Sequence, residues 1–245
     1  MITATTIREA RLAILPWRQK SESVALVPTM GALHAGHMAL VHHAKKIAQR
    51  VVVSVFVNPL QFSANEDLSR YPRPLDQDQK LLMDAGVDAL YCPAVHEIYP
   101  QEFITSIDPG PLGNVFEGAV RPGHFRGVAT IVVKLLMQLM PDAAVFGEKD
   151  FQQLLILRRV ARDLDIPSHI ISVPIVRDTD GLALSSRNVY LSADDRARAL
   201  ALPRALREAA TKIQTGENVE SALTAGRARM TEAGFKTDYF DLVDA

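Results

Sequence analysis

The residues VVVSVFV (51–57) are the feature that most constrains the fold of this chain. They form an almost unbroken apolar run, rich in β-branched side chains, which Asn58-Pro59 ends. A strand with one face in water alternates apolar and polar residues, whereas a strand covered on both faces carries a run like this one. Strands covered on both faces belong to parallel sheets flanked by helices. The run therefore predicts an α/β protein.

Other short apolar runs alternate with helix-period segments along the first part of the chain. Strands are expected at VALVP (24–28), VDALYCP (87–93), AAVFG (143–147) and HIISVP (169–174), with a further strand or edge segment at FITSIDP (103–109). Helices are predicted over roughly 38–50, 75–85, 127–140 and 150–165. This β-α-β-α order favours a doubly wound parallel sheet, because each parallel pair of strands needs a crossover connection.

The character of the sequence changes after Pro174. A polar, glycine-containing stretch is followed by helical segments predicted over 193–215, which Pro203 kinks or divides, and over 218–233. The last residues, KTDYFDLVDA (236–245), are predicted to form a strand. The boundary near residue 175 therefore separates a doubly wound α/β domain (1–175) from a smaller α+β domain (176–245).

The charge and the cysteine content limit the classes of protein to which the chain can belong. The formal net charge is -1, so no bulk attraction to nucleic acid or membranes is expected. The single cysteine, Cys92, excludes an internal disulfide framework and a cysteine-rich zinc site. Lys134 and Gln138 interrupt the longest apolar stretch, and the N-terminus lacks a signal-peptide pattern. A cytoplasmic protein with no membrane or nucleic-acid partner is expected.

Four polar segments follow predicted strands: 29–37, 58–62, 147–153 and 177–188. In an open parallel α/β sheet, ligands bind outside the carboxyl ends of the strands. Convergence of these segments at one edge therefore predicts a ligand site there.

The first segment, PTMGALHAGHM (28–38), is open to several interpretations, the plainest of which is that Gly36 and His37 merely begin a helix. Its two glycines have the spacing of a P-loop, but His37 and Met38 stand where a P-loop has Lys and Ser or Thr. His34 and His37 have near-metal spacing, but no third zinc ligand is evident. Alternatively, the start of a helix binds an anion through free N–H groups, with both histidines donating to it. His42, further along, is expected at the surface.

The segment GEKDFQQ (147–153) repeats this strand-to-helix geometry. Lys149 stands at the mouth of a helix that Asp150 is expected to cap. A helix N-terminus disfavours a cation, so the lysine indicates a nearby anionic ligand. The alternative is a solvated lysine paired with a neighbouring carboxylate. Gln152 and Gln153 lie on different helix faces, so at most one is expected to contact the same ligand.

The remaining two segments carry neutral amides, hydroxyls and one guanidinium. LALSSRN (182–188) combines two serines with Arg187, a set that suits a polyphosphate but is also common in ordinary loops. NPLQF (58–62) places Asn58 and Gln61 at a strand exit. Their amides are able to recognise hydroxyl and carboxylate groups, and a plain turn is the alternative.

Five motifs now stand in order along the chain: PTMGALHAGH, NPLQF, RPGHFRGV, GEKDFQQL and LALSSRN. Together they resemble the pantoate–β-alanine ligase family, which belongs to the class I aminoacyl-tRNA-synthetase-like nucleotidyltransferases. HAGH is similar to the HIGH signature of that superfamily, and SSRN stands where its KMSKS-type loop stands. The resemblance covers about 24–191. It implies a Rossmann-like fold, and it favours an anion-binding turn over a P-loop or a zinc site.

The resemblance implies a two-step reaction: ATP and pantoate form pantoyl adenylate and pyrophosphate, and β-alanine then displaces AMP. It implies catalytic roles for His34, His37, Lys149 and Arg187, with His37 the proton donor. Gln61 would hold pantoate and contact β-alanine, and Gln153 would hold pantoate. The residues implied in ATP binding are Met30, Gly31, Ala32, Leu33, His34, Ala35, Gly36, His37, Gly147, Glu148, Lys149, Asp150, Val176, Leu184, Ser185, Ser186 and Arg187.

The resemblance also implies Mg²⁺ with ATP and a cytoplasmic homodimer. Family members carry acidic residues after YPRP that have been linked to magnesium, but the run here is LDQDQ (75–79), so no ligand is assigned between Asp76 and Asp78. Chains of this family continue beyond the equivalent of Ala245, so the C-terminal sheet is expected to be incomplete.

Two alternatives to this ligase come from the same motifs. Another adenylyl- or cytidylyltransferase of the superfamily would share the H-x-G-H signature, but NPLQF and GEKDFQQ match the pantoate-handling pattern. A regulatory nucleotide-binding module without catalysis would not need His34, His37, Lys149 and Arg187 together. The ligase is therefore the leading hypothesis.

Overall fold

The computed structural model describes residues 1–64 and 66–244. The chain divides into two compact units, Met1–Ile175 and a second unit that begins at Val176. The first unit holds two clusters of buried apolar side chains, and the second unit holds a smaller cluster of its own.

A six-stranded parallel sheet organises the first unit, which confirms the predicted α/β sheet. Its strands are β1 (Ile2–Ala4), β2 (Val24–Thr29), β3 (Arg50–Val55), β4 (Ala89–Tyr91), β5 (Ala143–Gly147) and β6 (His169–Val173). They lie in the order β1-β4-β3-β2-β5-β6, and every neighbouring pair is parallel. From β2 the chain builds outward through β3 and β4, and β5 then returns to the other side of β2. The crevice between β2 and β5 is therefore the switch point where such sheets bind ligands.

Seven helices lie in the described part of the first unit. They are α1 (Ile7–Gln19), α2 (Ala35–Ile47), α3 (Leu75–Asp84), α4 (Val95–Ile98), α5 (Glu117–Val120), α6 (His124–Leu139) and α7 (Phe151–Asp163). Short 3₁₀ turns cover Pro59–Gln61, Gly110–Asn114 and Glu148–Asp150. Among the residues described, no helix is both long and apolar enough to cross a membrane.

Alternate residues of β2 supply the two cores of the first unit. Val24 and Leu26 pack in the cluster that includes side chains of α1, α6 and α7. Ala25 and Val27 pack in the cluster that includes side chains of α2 and α3. Full burial of a valine or leucine side chain stabilises the fold by about 1.5–3 kcal/mol. Helices on both faces therefore explain why the strand sequences are apolar without alternation.

The structure adds elements that the sequence analysis did not predict: β1, α1 and the one-turn helices α4 and α5. Helix α1 begins with a capping box, in which the Thr6 hydroxyl accepts from Glu9 N at 3.2 Å and the Glu9 carboxylate accepts from Thr6 N at 3.1 Å. Thr and Glu three residues apart are a recognisable start signal. Strand β1 has only three residues and pairs with β4 at the sheet edge, which leaves little local signal.

The predicted strand or edge segment at 103–109 is irregular in the structure. Ile107 N donates to the Thr130 hydroxyl of α6 at 2.9 Å instead of to a neighbouring strand. The edge positions of the sheet belong to β1 and β6. The segment therefore bonds to α6 without joining the sheet, and of its apolar side chains Phe103 and Ile107 are partly buried whereas Ile104 is 94% exposed.

The second unit contains α8 (Ala193–Ala199), α9 (Ala201–Gln214) and α10 (Val219–Glu232), with a 3₁₀ turn over Ser186–Tyr190. The predicted division of its first helical segment is confirmed, but the break lies at Leu200 and Pro203 sits in the first turn of α9, where proline is tolerated. The predicted strand at 236–245 is wrong for residues 236–244, which are irregular. Phe240 instead packs in the cluster formed by residues of α9 and α10, and no strand is present in the described part of this unit to pair with.

Candidate active site

Three loops meet at the carboxyl edge of the sheet in the first unit. They follow β2, β3 and β5, which are adjacent in the strand order β3-β2-β5. The three predicted segments 29–37, 58–62 and 147–153 lie on these loops. Chain topology therefore brings together residues that lie far apart in the sequence. The fourth predicted segment, 177–188, belongs to the second unit.

The turn from β2 to α2 has an unusual backbone. Gly31 has φ +82° and Ala32 has φ +51°, both in the left-handed region that residues other than glycine rarely adopt. The N–H groups of Ala32 and Leu33 point to the carboxylate of Asp78, at 2.9 and 2.8 Å. Burial raises the pKa of Asp78, and the two backbone bonds oppose that rise. The turn is thus supported by a residue of α3.

His34 and His37 stand together at the start of α2. His34 is the N-cap, and its Nδ1 accepts from Gly36 N at 3.1 Å, while His37 Nδ1 accepts from His34 N at 3.3 Å. The two ring centroids are 4.1 Å apart. An imidazole nitrogen that accepts from a backbone N–H carries no proton itself, so a neutral ring must hold its proton on Nε2. Both rings therefore offer an Nε2–H donor.

The environment keeps both rings uncharged at neutral pH. Burial, with smaller contributions from His34 and Lys149, lowers the pKa of His37 to about 3. Burial and the charge of Lys149 also lower the pKa of His34. No cluster of three or more possible metal ligands occurs among residues 1–64 and 66–244. The pair is thus suited to donating hydrogen bonds to an anion, and the zinc interpretation finds no support in this part of the chain.

Asn58, at the exit of β3, is a buried supporting residue. It is 1% exposed, and its Nδ2 donates to Gln61 Oε1 at 3.0 Å and to the Gly127 carbonyl at 3.2 Å. Its Oδ1 accepts from the Tyr99 hydroxyl at 2.7 Å. With the oxygen of the Gln61 amide bound to Asn58, the Gln61 NH₂ group points the other way, at 3.4 Å from Met30 Sδ. Asn58 therefore orients Gln61.

A second layer holds the backbone of Gln61. His124 is 7% exposed, and its Nδ1 lies 2.8 Å from the Gln61 carbonyl, to which Arg121 also donates at 3.3 Å. Arg121 in turn pairs with Glu66 at 2.7 Å and with Glu117 at 2.6 Å. Arg121 also lies 3.1 Å from His124 Nε2. Since arginine only donates, Nε2 is the acceptor and Nδ1 carries the proton, in keeping with a pKa that burial lowers.

The turn after β5 presents Lys149 and Asp150. Lys149 Nζ pairs with Asp150 Oδ1 at 3.1 Å, and the lysine side chain is 39% exposed. The expectation that Asp150 caps α7 is wrong: it occupies the N-cap position but makes no capping hydrogen bond, because its carboxylate faces Lys149. Exposed ion pairs of this kind contribute about 0–1 kcal/mol, so Lys149 remains free to exchange Asp150 for a stronger anion.

The structure distinguishes the two neighbouring glutamines of α7. Gln152 Nε2 donates to the carbonyls of Leu112 and Val115 at 2.9 and 2.8 Å, and Gln152 Oε1 accepts from Glu117 N at 3.2 Å. Gln152 is thus occupied in holding the 110–117 segment. Gln153 is half-buried and makes no side-chain hydrogen bond within the described ranges. Of the two, Gln153 has the amide that is available to a ligand.

The serine–arginine segment of the second unit begins with a small hairpin. Arg177 and Ala183 form an antiparallel bridge, and Leu184 N donates to the Val176 carbonyl at 3.0 Å. Ser185 caps the next turn by accepting from Arg187 N at 3.3 Å. The backbone that carries Ser185, Ser186 and Arg187 is therefore shaped by local hydrogen bonds.

The predicted site residues thus fall into two groups. Met30 to His37, Gln61, Gly147 to Asp150 and Gln153 lie in the first unit, on loops at or near the switch point. Val176 and Leu184 to Arg187 lie in the second unit. The sequence analysis missed the supporting roles of four residues, namely Asn58, Asp78, Arg121 and His124. Arg121 and His124 belong to the RPGHFRGV motif, which contributed to the family resemblance but to which the sequence analysis assigned no role.

A doubly wound parallel sheet whose strand-following loops meet at its switch point defines the class of this chain as an α/β protein with a candidate ligand site at the carboxyl ends of its strands. A family model described as pantoate–β-alanine ligase matches residues 2–245. The chain belongs to the pantoate–β-alanine ligase family. It is accordingly an enzyme that joins pantoate and β-alanine in an ATP-dependent reaction.

Several relatives support this assignment. The chain is 51% identical over 245 residues to a pantothenate synthetase of Thioalkalivibrio sulfidiphilus, covering 99% of this chain and 86% of the relative. The crystal structure of pantothenate synthetase from Thermus thermophilus matches with a TM-score of 0.90 and 51% identity over 95% of this chain and 83% of that chain. A Francisella tularensis pantoate–β-alanine ligase, solved with β,γ ATP and β-alanine, matches with a TM-score of 0.82 and 37% identity over 94% and 86% of the two chains.

Proposed function

We propose that the ligation proceeds through an enzyme-bound pantoyl adenylate. A carboxylate oxygen of pantoate attacks the α-phosphorus of ATP, and the bond from that phosphorus to the β-bridging oxygen breaks to release pyrophosphate. The amine of β-alanine then attacks the acyl carbon, AMP leaves with the former carboxylate oxygen, and the amine loses a proton. The observation that carries the proposal is the pair of neutral Nε2–H donors at the start of α2, close to a lysine cation.

The triphosphate would bind at the β2–α2 turn and the β5–α7 turn. Charge develops on the phosphate oxygens in the first step, and donors already in place stabilise it without reorganisation. His34 and His37 would donate from Nε2, the start of α2 would add its free N–H groups and dipole, and Lys149 would supply a full charge. Because a triphosphate favours protonated histidine, its arrival would raise both histidine pKa values. The proposed ATP-contacting residues of the first unit are Met30 to His37 and Gly147 to Asp150.

Pantoate would be held by the neutral amides of Gln61 and Gln153. The Gln61 NH₂ group is oriented by Asn58, and Gln153 retains both its donor and acceptor groups. Amides match hydroxyl and carboxylate groups without adding charge next to the attacking carboxylate. Gln61 would also contact β-alanine in the second step.

The second unit would act as the lid of the site, and residues 1–175 as the ATP- and pantoate-binding domain. The proposed ATP contacts of the lid are Val176, Leu184, Ser185, Ser186 and Arg187. The planar guanidinium of Arg187 suits bidentate contact with phosphate oxygens. Excluding water is necessary because the mixed anhydride of an acyl adenylate hydrolyses readily.

Magnesium would enter with ATP as part of the substrate. Mg²⁺ in phosphoryl-transfer sites keeps several waters and binds substrate phosphates with one or two carboxylates. The described residues offer no cluster of three or more ligands, and both oxygens of buried Asp78 already accept backbone N–H groups. We therefore place the triphosphate oxygens as its main ligands. The proposal further takes the enzyme to be a cytoplasmic homodimer with small-molecule substrates and no nucleic-acid partner.

The adenylate intermediate makes a direct isotopic prediction. With oxygen-18 in the pantoate carboxylate, one labelled oxygen is expected in AMP, because that oxygen bridges carbon and phosphorus in the adenylate. Mass spectrometry of the products after one turnover measures the transfer. Label in pyrophosphate, or in neither AMP nor pyrophosphate, would exclude this route.

The two glutamine assignments make a second prediction. Gln61→Ala and Gln153→Ala are each expected to raise the KM for pantoate by about ten- to a hundredfold, because one hydrogen bond lost to a charged ligand is worth about 1.5–3 kcal/mol. The KM for ATP should change less than twofold. Steady-state kinetics with each substrate varied separately makes the comparison, with exposed Gln77→Ala as the control. A larger rise in the KM for ATP than for pantoate would refute the assignment.

A further inference from the structure

We propose that Asp78 is a positioning residue for catalysis: its carboxylate holds the backbone of the β2–α2 turn, and through it the two histidines. The inference rests on the proposed function, in which that turn binds ATP. Asp78 lies in α3 and is 1% exposed. Its Oδ2 accepts from Ala32 N at 2.9 Å and its Oδ1 accepts from Leu33 N at 2.8 Å. One carboxylate thus takes two successive N–H groups.

The conformation of the turn explains why it needs such a partner. Left-handed values of φ at Gly31 and Ala32 turn consecutive N–H groups toward α3 and away from any helix or sheet acceptor. For an alanine this conformation persists only where its surroundings enforce it. The turn leads directly into His34, the N-cap of α2. A change in the backbone of residues 31–33 would therefore displace the Nε2–H donors.

The burial of Asp78 is itself unexplained without this role. No cation pairs with its carboxylate among the described residues, so its charge is balanced only by backbone N–H groups. A buried carboxylate in such a setting is costly to keep. Gly31 makes room for it: a Cβ at this position would lie 3.0 Å from Asp78 Oδ2 and 3.0 Å from Val55 Cγ1. Gly31 and Asp78 thus pack closely against each other beneath the turn, and a larger side chain at position 31 would displace the Asp78 carboxylate.

The test compares Asp78→Asn with Asp76→Asn, an exposed carboxylate in the same turn of α3. In Asp78→Asn one oxygen still accepts, but an NH₂ group faces the other backbone N–H. We expect kcat/KM for ATP in adenylation to fall at least tenfold, while the KM for pantoate stays within twofold. Asp76→Asn should match the unmodified enzyme in both constants.

Amide hydrogen exchange provides a readout that does not depend on the chemistry of ligation. Ala32 and Leu33 amides should be protected in the unmodified enzyme and should exchange at least tenfold faster in Asp78→Asn, with β2 amides unchanged. Gly31→Ala perturbs the same contact from the other side and is expected to give the same pattern. If the unmodified enzyme forms no pantoyl adenylate, the proposed function is refuted. The hydrogen-exchange measurement then decides separately whether Asp78 holds the turn.

Three outcomes would overturn the inference. The first is unprotected Ala32 and Leu33 amides in the unmodified enzyme. The second is an Asp78→Asn enzyme that loses thermal stability yet keeps kcat/KM for ATP per folded molecule, which describes a purely structural residue. The third outcome concerns the case in which Asp78→Asn does not fold. The inference is then overturned if Gly31→Ala folds and its kcat/KM for ATP is unchanged.

Discussion

Replacing His37 by alanine is expected to lower kcat of adenylation by about a hundred- to a thousand-fold, the usual result of removing one transition-state donor. His37 Nδ1 is occupied by His34 N, so its Nε2–H is the group that is able to contact phosphate oxygens. The KM for ATP should change by much less than kcat, because the donor contributes most while charge builds on the phosphate. Single-turnover measurement with ATP and pantoate gives the rate constant directly.

Two further variants test whether His37 acts as a hydrogen-bond donor and whether the site lies at this histidine. His37→Gln keeps a neutral N–H donor and cannot act as a cationic acid. If His37 acts as a hydrogen-bond donor, the adenylation rate of His37→Gln should be at least tenfold higher than that of His37→Ala. His42→Ala removes an exposed histidine further along the same helix and should leave the rate within twofold. Equal losses in His37→Ala and His42→Ala would contradict the location of the site. Equal losses in His37→Gln and His37→Ala would instead support proton transfer from His37.

Replacing Lys149 by methionine is expected to separate the two half-reactions. Methionine retains much of the side-chain bulk and removes the charge. The rate of adenylation should fall by about a hundred-fold, since a charged contact to the leaving pyrophosphate stabilises the transition state by about 2.7 kcal/mol. The second step expels AMP, which carries less charge within reach of this residue, so its rate should fall less than tenfold. Single-turnover kinetics measure each step, first with ATP and pantoate and then with preformed pantoyl adenylate and β-alanine.

The control for this variant is Lys46→Met, which removes an exposed lysine from the last turn of α2. Both of its rates should stay within twofold of the unmodified enzyme. An equal fall of both half-reactions in Lys149→Met would show that the lysine serves the α-phosphate throughout. A change of less than threefold in both rates would mean that Lys149 is an ordinary surface lysine, held only by its weak contact with Asp150.

The sequence analysis predicted the elements whose signals are local. The apolar runs at 24–28, 51–57 and 143–147 lie in or overlap β2, β3 and β5. It failed where an element depends on a partner. The segment at 103–109 is apolar enough for a strand, but its Ile107 N–H bonds to Thr130 of α6 instead of to a strand, and residues 236–244 have no neighbouring strand in the described part of their unit.

In the candidate site, too, the sequence predicts the local features and the tertiary structure decides the others. The H-x-G-H turn, the amides after β3 and Lys149 are recognisable from short motifs. Which of Gln152 and Gln153 remains available depends on three hydrogen bonds to the 110–117 segment, about forty residues away. Asp78 likewise stands two residues after Asp76 in an ordinary polar run, and its burial and its bonds to Ala32 and Leu33 distinguish the two carboxylates.

The sequence by itself determined the parallel α/β sheet, the position of the turn that carries His34 and His37, and the family, because side-chain periodicity and short motifs are properties of neighbouring residues. Tertiary structure alone decided that His34 and His37 are neutral Nε2–H donors, that Asn58 orients Gln61 and that Asp78 supports the turn. Protonation depends on how far a ring is removed from water, and a hydrogen bond depends on where its partner lies in space. Both are set only when distant segments pack against each other.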